Sequence, residues 1–277
     1  MPELEDVSYS FDECVAAVRD YYAFLAKMYM DESEIVDPPE GGWPSIVNAK
    51  PETLEGFGKT PEVLKLLAHL PYVREASDGH DVNSLPQARF AAWHEIFDWV
   101  NRDQREIGAC KEMTEGCFRP FEVPHAVGLS RVDRWETTLI LDTELGIIHY
   151  GGCPGPIRHN PSQEPILDDF YDYADEEDEA DWHEAEWRAD APAFTIPAFF
   201  ELLKDQFREL KFVPIGRRTV TDVYVTHIHP SMEGLIPMVQ DIYRQHGWPD
   251  LDRYRKDECI AAVQKAIREK YPSEPCD

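Results

Sequence analysis

Basic residues are scarce in this chain. Lys and Arg number 27 against 54 Asp and Glu in 277 residues, a formal net charge of −27. Affinity for nucleic acid comes mainly from Lys and Arg neutralising phosphates, so no nucleic-acid partner is expected. Anionic membrane surfaces are disfavoured for the same reason. Arg217-Arg218 is the one adjacent arginine pair that could make a compact basic patch.

Long apolar runs are missing as well. No stretch approaches the roughly 20 residues needed to cross a bilayer, and the opening MPELEDVSYS is acidic where a secretory signal would begin basic. The six cysteines, at positions 14, 110, 117, 153, 259 and 276, contain no CxxC pair. Reduced thiols and a soluble cytoplasmic protein are the expectation, with the nucleus also compatible. Signatures of catalysis are absent too: there is no GxSxG, no HExxH and no Cys/His cluster. Gly151-Gly152 lacks the following helix of a phosphate cradle. No cofactor is expected.

What is present reads as an α+β domain. Ser10-Phe-Asp-Glu13 has the form of a capping box, and Phe11, Cys14, Val15, Val18, Tyr22, Leu25 and Met28 follow at helical spacing. Thr60-Pro61 opens a second helix carrying Val63, Leu64, Leu66, Leu67 and Leu70. Between Arg89 and Asn101 aromatics are dense, but the period fits neither helix nor strand cleanly. His125–Leu129, Thr137–Asp142 and Ile147–Tyr150 read as strands, with a hairpin reversing through Glu144–Gly146. Thr195-Ile-Pro197 opens an amphipathic helix with Phe199, Phe200, Leu203, Phe207 and Leu210. Thr219–His229 alternates as a strand, and helices over Glu233–His246 and Asp257–Lys270 close the chain. The expected architecture is α+β: one domain over 1–277, with a central antiparallel sheet and N-terminal and C-terminal helices packed on it.

An acidic insertion interrupts this plan. Asp168–Glu186 holds no Lys or Arg and includes Asp175, Glu176, Glu177, Asp178 and Glu179. Like charges so dense repel one another, so 163–190 is expected to be a mobile surface excursion. Its Phe170, Tyr171, Tyr173 and Trp182 supply contact area that solvation does not require.

The strand ending in Leu141-Asp142, the turn through Gly146, the strand Ile147–Tyr150 and the helix entered by Ala193-Phe194 and Phe199-Phe200-Glu-Leu-Leu203 together resemble the SUKH superfamily. That group includes yeast cell-wall-synthesis regulators and bacterial immunity proteins. The likeness covers about 125–210, roughly a third of the chain. The family's early "LP…NG" segment is only echoed, by Leu70-Pro71 and Asp78-Gly79, and the acidic insertion departs from its pattern. The resemblance implies an α+β binding fold with no catalytic residues to transfer. Leu70-Pro71-Tyr72 and Gly247-Trp248-Pro249 also look like segments of uncharacterised fungal proteins.

Three candidate sites remain. His227-Ile-His229 puts two imidazoles on one strand face, as a two-histidine metal site requires, with Asp222 and Glu233 the nearest carboxylates in sequence. Cys153 lies between His149 and His159, but in a Gly/Pro-rich loop that turn geometry explains by itself. The acidic stretch lacks the spacing of a calcium loop and suits docking of a basic partner. Trp43-Pro44 and Trp248-Pro249, each after a glycine, are expected to staple loops to the domain. The composition and the resemblance together favour a non-enzymatic, protein-binding or regulatory module. Its contacts fall on the acidic segment, at Asp175–Glu179 and Trp182, and on the sheet face near the hairpin. The alternative is a metal-dependent hydrolase using His227 and His229.

Overall fold

The computed structural model describes residues 2–75, 81–86, 88–116, 123–131, 137–167, 170–173, 179–224 and 232–272, with only the backbone at 172–173 and 179–181. Helix α1 (Phe11–Met28) begins where Ser10 Oγ accepts from the Glu13 amide at 3.3 Å. Strand β1 (Ile35–Val36) leads to the short helices α2 (Pro44–Val47) and α3 (Pro51–Phe57). Helix α4 (Pro61–His69) follows, capped by Thr60 as expected, and then strand β2 (Tyr72–Val73) pairs with β1.

Strand β3 (Arg89–Phe90) runs into helix α5 (Trp93–Asn101), which settles the ambiguous aromatic stretch. Trp93, Ile96, Phe97 and Val100 are its buried positions, one helical stripe; Trp99 lies off that stripe and had blurred the period. Helix α6 (Ile107–Glu115) was not foreseen, because its interior mixes Gly, Lys and Glu with few apolar residues.

The centre is a four-stranded antiparallel sheet in the order β4 (Ala126–Gly128), β6 (Thr138–Asp142), β7 (Ile147–Gly151), β8 (Ala193–Thr195). Between the first two, β5 (Ser130–Arg131) pairs with β3. Helix α7 (Gly155–His159) and helix α8 (Glu179–Ala189) lie in the connection from β7 to β8. Asp142 stands opposite Ile147, so the hairpin turn is Thr143–Gly146, where the sequence placed it. Gly146 has φ +73°, and a Cβ there would come within 2.5 Å of the Ser8–Tyr9 backbone, which crosses the turn.

Both faces of the sheet are covered. Val127, Leu139, Leu141, Ile148, Tyr150 and Phe194 point into the main core. There Phe199 of α9 (Ile196–Arg208) meets Tyr150 edge-on at 5.8 Å. Helix α1 forms the layer beyond, with Tyr21 against Phe200 at 5.4 Å and Phe24 against Phe207 at 6.3 Å. Strands β9 (Phe212–Pro214) and β10 (Val220–Asp222) form a hairpin on which α10 (Leu235–Gln245) rests. Helix α11 (Lys256–Lys270) joins this end to α1, Lys256 Nζ donating to the Ala26 and Met30 carbonyls. The class is α+β, as the sequence indicated. Both tryptophans act as staples: Trp43 Nε1 donates to the Leu70 carbonyl at 2.8 Å, and Trp248 Nε1 to the Phe207 carbonyl at 3.0 Å.

The second sheet face carries Ala126, Ile140, Ile147 and Ala193, and here the acidic stretch differs from the loop expected of it. Its latter part is α8, whose Ala185 and Trp187 are buried against those residues. The apolar contact and the ion pairs described below outweigh the like-charge repulsion that pointed to a loop. Among the described residues no helix is long and apolar enough to cross a membrane.

Candidate functional site

Asp142 ends β6 and is fully buried, which a carboxylate tolerates only when every lone pair is used. One oxygen, Oδ1, accepts from the Glu144 and Leu145 amides at 2.9 and 3.0 Å, shaping the turn. The other, Oδ2, accepts from Arg188 of α8 through Nε at 3.1 Å and Nη2 at 2.7 Å. A residue chosen by turn chemistry therefore also anchors the acidic helix.

His125, just before β4, is locked to the same turn: its carbonyl accepts from the Thr143 amide at 3.0 Å and hydroxyl at 2.8 Å. The segment that carries it is fixed from behind. Lys59 Nζ donates to the Ala126 carbonyl at 2.8 Å and pairs with Glu115 at 2.8 Å, both side chains essentially inaccessible. Burial pushes the Lys59 ammonium down and the Glu115 carboxyl up, and each one's charge opposes the other's shift.

His125 Nε2 lies 2.9 Å from Glu184 Oε1 of α8, 3.1 Å from Glu144 Oε2 of the turn and 4.0 Å from Asp142 Oδ2. Arg188 Nη2 approaches the same Glu184 oxygen at 2.8 Å. Burial alone would lower the basicity of His125. The hydrogen bond to Glu184 and the carboxylates of Asp142, Glu144 and Glu184 outweigh it and hold the imidazole above its ordinary pKa. Glu184 is correspondingly held below the usual carboxylate range, chiefly by that hydrogen bond. Among the described residues, His125, Glu144 and Glu184 are the one group of His, Cys, Asp and Glu side chains close enough to hold a metal ion. Their ligand atoms all lie within 4.8 Å of one another.

His149 stands beside this cluster on the α8 side of the sheet, diagonal to Asp142 across the β6–β7 ladder. Its ring packs against Trp187 at 4.9 Å and Phe170 at 5.4 Å. Neither ring nitrogen has a hydrogen bond of normal geometry, although the Arg188 backbone lies near enough to favour the charged form slightly. Burial pushes the imidazole down to about 4, so it is neutral at physiological pH.

The outward face of α8 has a different character. Trp182, His183 and Glu186 are exposed, and Trp182 packs on the exposed Tyr171 at 5.1 Å between ring centroids. Of the residues expected to make contacts, Trp182 is thus on the surface, on a helix held from behind. Asp175, Glu176, Glu177 and Asp178 lie outside the described residues, as does the side chain of Glu179. His227 and His229 also lie outside them. Burial pushes the Cys153 thiol up to about 12, away from the thiolate form that nucleophilic chemistry uses.

The cluster of His125, Asp142, Glu144, Glu184 and Arg188 was not visible as a unit in the sequence. Its members are spread over more than sixty positions, and the one helical spacing among them is Glu184–Arg188. Only Asp142, in an Asp-Thr-Glu-Leu-Gly turn, carried a local signal.

No protein-family model matches the chain, and no curated protein or solved structure matches it either. The resemblance to the SUKH superfamily therefore stands on its residues alone.

Proposed function

We propose that this protein is a non-enzymatic, intracellular binding or regulatory module, and that it docks a Lys/Arg-rich segment of another protein on the outward face of α8. One observation carries the reading: an acidic helix is fixed to the sheet by Ala185, Trp187 and the Arg188–Asp142 pair, while an aromatic pair, Trp182 and Tyr171, is left exposed on its other side. Fixing the helix beforehand reduces the ordering cost of binding. Indole and phenol faces attract guanidinium and ammonium groups, and the net charge of −27 steers basic partners towards the chain. The SUKH-like hairpin and following helix support a binding role in the same sense.

The test is affinity capture from native extract with the wild-type chain and a Trp182→Ala/Tyr171→Ala variant, at low and high salt. Both side chains are exposed, so the variant should fold. A basic protein that is retained by the wild type, lost by the variant and released by salt is expected. Equal capture by both chains, or no capture at low salt, overturns the proposal.

A further inference from the structure

We propose that His125, Glu144 and Glu184 form a binding site for a divalent transition-metal ion of the zinc class, which cross-links the acidic helix α8 to the β6–β7 turn. The proposal does not depend on what α8 docks. Three ligand groups meet here from three parts of the fold: the imidazole Nε2 before β4, a carboxylate in the turn and a carboxylate on α8. One imidazole with two carboxylates suits a borderline ion, which takes nitrogen and oxygen ligands at about 2.0–2.2 Å. Oxygen-seeking ions such as calcium ask for more carboxylate and carbonyl groups than converge here.

The charges agree. Three carboxylates, Asp142, Glu144 and Glu184, face the one guanidinium of Arg188 here, an environment that favours a further cation. Arg188 Nε and Nη2 both donate to Asp142 Oδ2, and Nη2 also contacts Glu184 Oε1 and His125 Nε2, so an entering ion displaces Nη2 from those two atoms while Nε keeps the Asp142 bond. Its contact with Glu184 uses one carboxylate oxygen, Oε1.

The contacts of His125 Nε2 point the same way. It faces Glu144 and Glu184 oxygens and also lies 3.1 Å from Arg188 Nη2. A cation shared among the three ligands would satisfy the two carboxylates and the imidazole nitrogen together. His149 lies buried on the same sheet face, with neither ring nitrogen in a hydrogen bond of normal geometry.

Access is open, since the Glu144 side chain is 62% exposed while His125 and Glu184 are 20% and 24% exposed. Three protein ligands leave a fourth tetrahedral position for water.

The experiment is calorimetric titration of zinc chloride into the full chain after chelator treatment. Wild type, Glu144→Gln, His125→Gln and His227→Ala/His229→Ala are compared, with circular dichroism to confirm folding. A single saturable site per chain is expected, unchanged in the His227/His229 variant and weakened about tenfold or more in Glu144→Gln and His125→Gln. Glu144→Gln alters an exposed side chain and so tests the site even if His125→Gln does not fold. The proposal is overturned by the absence of a saturable event in wild type, by full affinity in Glu144→Gln, or by loss of the site in the His227/His229 variant.

Discussion

Replacing His149 by phenylalanine should change the acid sensitivity of the fold by an amount that the structure sets. The imidazole is wholly buried, and its pKa is lowered from 6.5 to about 4. The unfolded chain therefore takes up a proton near pH 6.5, whereas the folded chain resists until near pH 4. Stability supplied by the neutral ring is intact above about pH 6.5 and is lost as pH falls through that window. Across the whole window the loss is about 3 kcal/mol, and between pH 7 and pH 5 it is about 2 kcal/mol for this one group. Phenylalanine keeps an aromatic ring beside Trp187 and Phe170 and removes both poorly satisfied nitrogens. Relief of desolvation, about 1–3 kcal/mol per orphaned polar group, then competes with overpacking by the larger ring, about 1–3 kcal/mol. The change at pH 7 is accordingly small and of either sign, but the change in pH dependence survives this cancellation. Urea unfolding of both proteins at pH 7 and pH 5 is the assay. His94, also depressed to about 4 by burial, contributes to both proteins and drops out of the comparison. The wild type should lose about 2 kcal/mol more than His149→Phe on going to pH 5. An equal loss in both proteins would refute the reasoning.

Two further predictions concern the same region. Arg188→Met leaves the Asp142 carboxylate buried without its guanidinium, and removing one partner of a buried ion pair costs about 3–5 kcal/mol; the urea midpoint should fall accordingly, and Asp142→Asn in the same background should restore part of the loss. Gly128→Ala places a Cβ 2.0 Å from the Thr114 carbonyl oxygen, so β4 and α6 must separate. A loss of about 1–3 kcal/mol or more is expected, and thermal unfolding should show it.

How much of this was legible in the sequence varied with the range of the interactions. The Ser10 and Thr60 caps, the Asp142–Gly146 turn and the Phe-rich stripe of α9 are local matters of backbone donors and helical period, and they stand where residue order put them. Helix α8 was obscured because its local charge argues for a loop. Its stability comes from Trp187 and Ala185 on the sheet and from Arg188 reaching Asp142, partners 46 residues apart. The His125–Glu144–Glu184 grouping was out of reach for the same reason: only the folded sheet brings its three members together.

The pairing of α1 with α9 bears on how the chain is made. Asp20 on α1 meets Lys204 on α9 across 184 positions, and the rings of Tyr21 and Phe24 rest on Phe200 and Phe207. During synthesis α1 leaves the ribosome long before the surface that covers it. At about 5–20 residues per second, the faces of Tyr21 and Phe24 that rest on α9 stay uncovered for roughly 10–40 s. For that interval the helix carries an exposed aromatic face whose cover has not yet been made.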